Sequence, residues 1–264
     1  MSSPAEGRPT PQAAGRPTKD GLADVPGVLF DPRRSKAERY ADLVVGERGW
    51  WRLFRYELVM LLASWVPGAL GLMLRGWLYP CLLGACGRNV SFGTNVVLRH
   101  PGKIRIGSDV AIDDGCALDA KGSGNHGIDI GSRVFLGRHT LLACKEGDIV
   151  LEDGVNISYN CAVFSASSVR IGAETLLAAY CYLVGGGHDF DRVDVPVVQQ
   201  PRPSRGIVVG RGGWLGAGAI VLDGVTVGES AIVGAHAVVT QDVPSYAIAA
   251  GAPARVVRDR RQPA

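Results

Sequence analysis

Along the C-terminal two thirds of the chain, aliphatic side chains return every six residues, grouped in threes. The triplets are Ile106, Ile112, Leu118; Ile130, Leu136, Leu142; Leu151, Ile157, Val163; Ile171, Leu177, Leu183; Val209, Leu215, Val221; and Val227, Val233, Val239. Two residues before each lies a second inward position, usually β-branched or small, and Cys116, Cys161 and Cys181 fill three of these. Residues two apart in a strand share a face, so both positions point the same way. Six residues make one short strand plus a turn, and three such units close a triangular coil. Stacked coils then line up their aliphatic side chains as one internal column. Glycine follows many of the aliphatic residues, as at Ile106-Gly107 and Leu215-Gly216. Such a corner excludes either a β-carbon or a negative φ. The pattern predicts an all-β fold, a parallel β-helix over residues 88–253, followed by a short tail, 254–264.

Successive triplets begin 24, 21, 20, 38 and 18 residues apart. Eighteen is a coil without insertions. The small excesses predict corner loops, one of them within residues 119–127. The large excess predicts a loop of about 20 residues over 184–206, and a long insertion in a regular solenoid is where function concentrates.

Upstream of the repeats the texture differs. Residues 1–27 are rich in Pro, Gly, Ala and Ser and are expected to form a disordered tail. Residues 28–87 are expected to be helical, with a short helix near 35–43. Between 58 and 74 no residue is charged; Trp65 lies within that run, Trp50, Trp51, Trp77 and Tyr79 lie to either side, and Arg48, Arg52, Arg55 and Arg75 flank it. Seventeen residues lie at the short limit for a membrane span, and Pro67-Gly68 interrupts the helix. Two readings stay open: peripheral membrane contact through residues 50–80, or a helical hairpin buried in an oligomer.

A net charge of +3 without a long Lys/Arg run gives no reason to expect a nucleic-acid partner. Six cysteines without CxxC or Cys/His metal spacing suit reduced, packed thiols. No charged segment followed by an apolar one marks a secretory signal. These features predict a cytoplasmic protein, and on the first of the two readings its apolar segment would place it at the inner face of the membrane.

Three stretches carry a resemblance. They are Trp214-Leu-Gly-Ala-Gly-Ala-Ile-Val-Leu-Asp-Gly-Val-Thr-Val-Gly, Ile232-Val-Gly-Ala-His-Ala-Val-Val-Thr-Gln-Asp-Val-Pro, and Ala250-Gly-Ala-Pro-Ala-Arg-Val-Val-Arg. Together with the repeats they resemble the hexapeptide-repeat acyltransferases: the galactoside, maltose and xenobiotic O-acetyltransferases and relatives that acetylate exopolysaccharides. The resemblance covers residues 88–260. It implies a left-handed coil, a homotrimer, and an acyl-CoA, acetyl-CoA first, lying in a groove between neighbouring β-helices.

The resemblance also implies roles for residues. The long loop of that family carries a catalytic histidine, matched here by His188 in Gly185-Gly-Gly-His188-Asp-Phe. Neutral imidazole suits removal of a hydroxyl proton near pH 7. Asn160 and Trp214 match positions near the acceptor. The backbone amides of Ala217 and Ala235 match those that hold pantetheine, and Thr240, Arg255 and Arg258 match the adenosine-phosphate end. Gln241 replaces a common lysine and His236 a small residue, and His236 is assigned no role. The implied function is acyl-CoA-dependent O-acylation of a sugar or cell-surface polysaccharide precursor.

Other classes are weighed on the same residues. A zinc carbonic anhydrase on this coil needs three histidines at coil spacing, yet the nearest pair, His126 and His139, is 13 apart. No metal is therefore expected. An N-acyltransferase acting on an amino sugar would differ only at acceptor residues. A non-catalytic scaffold is disfavoured by the presence of His188 together with the Trp214 and Gly251 motifs.

Overall fold

The structure is a computed structural model and describes residues 35–262; the tail expected over 1–27 lies outside the described residues. From Ala85–Cys86 onward the chain winds through three parallel sheets of seven, nine and seven strands. Each coil contributes one strand to each sheet. The inward aliphatic positions stack in register: Phe92 on Ile112, then Leu136, Ile157, Leu177, Leu215, Val233 and Ala249. All are buried. Each such side chain adds roughly 1.5–3 kcal/mol of burial, so the column supplies most of the driving force. The cysteines at inward positions, Cys116, Cys161 and Cys181, are buried free thiols.

Two coils escape the sequence pattern. The first pairs Cys86, Phe92 and Leu98 with Ile106, Ile112 and Leu118; it starts before residue 88 and its first two inward residues are not aliphatic. The last is partial. Val243 bridges Val227, Ala249 pairs with Val233, and the spacing has shrunk to 16. The strand Arg255–Asp259 then folds back antiparallel on Ala247–Ala250, so residues 255–259 extend the nine-stranded sheet where a tail is expected.

The corners settle the glycine question. Gly107 and Gly216 do not need a positive φ. A β-carbon at Gly216 would lie 2.6 Å from the Ala235 nitrogen, and one at Gly107 would lie 2.7 Å from the backbone of Gly131. Close approach of successive coils requires these glycines. The left-handed corner falls two residues further on, at Asn95, Gly115, His139, Asn160, Tyr180, Gly218 and His236 along one edge. The His236 ring lies over Gly218, where a β-carbon would meet its Nδ1 at 2.6 Å; a side chain there would displace it.

Helices cap the first coil. A short helix, Lys36–Tyr40, starts on a Ser35–Glu38 capping box and runs into a π-turn, Ala41–Val45. The apolar segment forms two helices, Trp50–Ala63 and Gly68–Leu78, broken at Pro67. They satisfy backbone groups at the open edge of the first coil. The Tyr56 hydroxyl donates to the Leu98 carbonyl (2.8 Å), Arg75 Nε donates to the Phe92 carbonyl (2.8 Å), and the Asn95 amide donates to the Ser64 carbonyl (2.7 Å). Arg75 is 2% exposed, and its Nη1 also binds the carbonyls of Ala63 and Val66, clamping the interhelical turn. The amide of His100 donates to the Val44 carbonyl, and its Nε2 lies 3.0 Å from the Asp42 carbonyl.

The outer faces of these helices are apolar. Trp51, Phe54, Leu58 and Leu61 recur at helical spacing on the first helix, with Trp65 just past its end, and Leu70, Met73 and Trp77 on the second. All are exposed. Among the described residues, no helix is long and apolar enough to cross a membrane.

Candidate active site

The long insertion leaves the fifth coil after the strand Tyr182–Gly185 and returns at Ile207–Val209. Gly186, with φ +140, starts the departure. Asp223 ties down the return by accepting from the amides of Arg205 (2.7 Å) and Gly206 (3.0 Å). The two limbs are joined by the Asp189 amide on the Pro201 carbonyl and by Gln200. That buried side chain donates to the carbonyls of Arg192 and Val195 and accepts from the Arg192 amide. The loop is therefore held in one shape by its own polar groups.

His188 is exposed on this loop, and its Nδ1 lies 3.2 Å from the Val197 carbonyl. A carbonyl can only accept, so Nδ1 carries the proton and the lone pair sits on Nε2. The carboxylate of Asp189, next to it in sequence, is not the partner found. Backbone carbonyls leave no trace in sequence, so Val197 had no signal. Asp223 did have one, an Asp-Gly turn where the insertion rejoins the coil.

The remaining candidates lie elsewhere on the rod. Asn160 sits at a left-handed corner, φ +56, on the edge between the second and third strands of its coil. Tyr159 packs edge-on against Tyr180 beside it, ring centroids 5.8 Å apart. Trp214 points outward from the middle sheet, between Leu176 and Ile232, and is 47% exposed. Ala217 and Ala235 stack one coil apart on the same edge as Asn160 and are exposed. Neither alanine amide has an acceptor among the described residues. Thr240 follows the last strand of the third sheet, and Arg255 and Arg258 lie exposed on the terminal antiparallel strand.

Within one chain the structure thus brings Ala217 and Ala235 together and places Asn160 lower on their edge. It does not bring His188 to them: the loop leaves from the opposite edge of the third sheet, and every hydrogen bond found for it runs within itself or to its own corner. Among the described residues, no group of three or more His, Cys, Asp or Glu side chains could hold a metal ion.

A three-sided solenoid of stacked parallel strands, interrupted by one long loop, is the architecture of the hexapeptide-repeat acyltransferases. No family model matches the chain. Curated relatives do. A putative lipopolysaccharide biosynthesis O-acetyl transferase of Escherichia coli, WbbJ, is 31% identical over 150 residues, 54% of this chain and 75% of that protein. A probable acetyltransferase of Mycobacterium tuberculosis is 31% identical over 134 residues, 51% of this chain, which spans 45% of that relative's length. The crystal structure of a mutant of AntD, an N-acyltransferase from Bacillus cereus, in complex with dTDP and coenzyme A shares the fold. It has TM-score 0.50 and 23% identity, covering 75% of this chain and 92% of that one. The chain belongs to the hexapeptide-repeat acyltransferase family, whose coil is left-handed.

Proposed function

We propose that this protein transfers an acyl group, acetyl first, from coenzyme A to a hydroxyl of a sugar or cell-surface polysaccharide precursor. The observation that carries this reading is the 3.2 Å contact of His188 Nδ1 with the Val197 carbonyl, which an Nδ1–H satisfies and which leaves the Nε2 lone pair free. Nε2 takes the acceptor hydroxyl proton as that oxygen attacks the thioester carbonyl carbon. The C–S bond breaks, the imidazolium returns the proton to the thiolate, and the products are an ester and free coenzyme A. No covalent enzyme intermediate is needed.

Ala217 and Ala235 hold the pantetheine arm. Their open amides offer donors one coil apart, and their small side chains let an extended chain approach. Arg255 and Arg258, with Thr240, receive the adenosine-phosphate end, the guanidinium forks matching phosphate. Asn160 binds the acceptor and Trp214 walls the site.

The active unit is a homotrimer. His188 lies apart from Asn160 and the alanine edge within one chain, and a neighbouring rod can bring them together. The loop supports this, for Phe190 is 74% exposed and Val193 fully exposed, an arrangement suited to burial against a second copy. The trimer works in the cytoplasm, at the inner face of the membrane, with residues 50–80 as the contact.

The test is His188→Ala, with coenzyme A release followed on a panel of soluble hexoses and products weighed by mass spectrometry. Loss of about 100-fold or more is expected. Unchanged turnover would remove the mechanism, and product on amines alone would move the acceptor to nitrogen.

A further inference from the structure

Among the described residues, the helical cap gathers a group of exposed large apolar side chains over residues 50–77. Indoles mark the ends of the two helices: Trp50 (79% exposed) and Trp51 begin the first, Trp65 follows its end with its Nε1 donating to the Leu61 carbonyl, and Trp77 lies near the end of the second. Exposed aliphatic side chains lie between them along the chain, with Leu61 68% and Leu70 63% exposed. Monomeric soluble proteins rarely leave so large a patch open. Indoles together with exposed aliphatic groups match a lipid interface, where amphipathic indoles sit among headgroups and alkyl groups enter the acyl boundary. Apart from the buried Arg75, residues 35–80 carry five basic side chains against four acidic ones, and none is charged between 58 and 74. Arg48 and Arg52, at the start of the first helix, pair with Asp42 (3.1 Å) and Glu47 (2.8 Å) yet keep 76% and 55% of their side chains exposed, and Arg55 is exposed beside them.

The cap's position adds a dimension. Its inner face seals the first coil, so its outer face is the end of the rod. We propose that this face docks the protein end-on onto an anionic lipid surface, with the rod standing away from the membrane. The loop bearing His188 leaves the fifth coil, four strand spacings above the first, which holds the site roughly 19 Å above the cap. Docking is independent of the acyl-transfer reading, whereas the acceptor assignment rests on it. The acceptor is a glycan anchored in lipid, acylated on a residue well removed from the anchor rather than next to it. In a trimer of parallel rods three caps face the same way, and their contacts reinforce one another.

The experiment uses the full chain with phosphatidylglycerol and phosphatidylcholine vesicles. Co-sedimentation is expected with both and stronger with the anionic lipid. Leu61→Glu and Leu70→Glu should each lower partitioning more than about tenfold, with an unchanged circular dichroism melt. All tryptophans but Trp214 belong to the cap. Vesicles with brominated acyl chains should therefore quench the Trp214→Phe variant. They should not quench a variant in which the four cap tryptophans are Phe. Equal quenching of both would overturn the end-on orientation. Failure to bind phosphatidylglycerol, or equal binding to both lipids, would overturn the lipid assignment. Concentration-dependent pairing of chains, lost in Leu61→Glu, without vesicle binding would assign the face to a second copy instead. Binding only after removal of residues 1–34 would show that the chain covers its own patch. Coenzyme A release on soluble hexoses by the Leu61→Glu variant separates the two readings: docking can fail with turnover intact, and His188→Ala can lose turnover with docking intact.

Discussion

The coils and the helical cap distribute polarity in opposite ways. In the coils the aliphatic side chains at the repeat positions point inward, and charges such as Arg105 and Asp129 pair on the outside (2.8 Å). In the cap an arginine is buried and tryptophans are outside. The coils can be uniform because each sees the same neighbour above and below. The cap has a coil on one side only. Its inner face must answer unpaired amides and carbonyls, which takes donors such as Arg75 and Tyr56, and its outer face is left to whatever lies beyond the rod.

Substitutions can break or sharpen that contrast. The largest effect is expected outside both regions, at the loop: His188→Ala should cut kcat by about 100- to 10,000-fold, equivalent to ~3–5 kcal/mol of barrier. The melting temperature should stay put, since the ring makes one exposed contact. Ile157→Ala, in the middle of the column, should destabilise by about 3–4 kcal/mol in urea unfolding. Arg75→Ala strands three carbonyls and should destabilise the cap by about 2–3 kcal/mol, seen as faster proteolysis near residues 64–67. Arg75→Lys should restore little, because an ammonium lacks the planar fork. Gly216→Ala should destabilise by roughly 1–3 kcal/mol, whereas Gly187→Ala, where an added β-carbon meets nothing within 4 Å, should be neutral.

The smallest expected effect is a pH slope at the joint between the two regions. Burial holds the His100 imidazole below its ordinary pKa, against the raising effect of its hydrogen bond to the Asp42 carbonyl. The unfolded chain binds the proton more readily. Stability is thus full above pH ~6.5 and declines as the pH falls toward the folded value. His100→Asn, which tolerates the left-handed backbone (φ +50), should flatten that slope in thermal melts between pH 7 and pH ~5.

Six of the coils were legible in the sequence because a six-residue period repeats the same physical demand many times. The first coil was hidden by Cys86 and Phe92, which fill the column without being aliphatic. The last was hidden by its shortened spacing. Motif glycines were legible as necessary but not for the right one of two reasons, since the approach of the next coil is a long-range fact. The long loop was legible as an interruption, and His188 through resemblance and chemistry. Its orienting group was not, because any residue supplies a carbonyl. The cap's apolar run was legible too, but which side of each helix faces the rod depends on contacts with residues 92–100.

The terminal hairpin has a consequence for assembly. A stack of parallel strands ends in a row of open amides and carbonyls that would accept another parallel strand, and an uncapped rod would grow by end-to-end addition into a fibre. Arg255–Asp259 reverses direction across the nine-stranded sheet and offers an incoming chain a border of opposite polarity, lined with arginines that repel a like partner. The protein thereby carries its own stop signal against polymerisation, written as a change of strand direction.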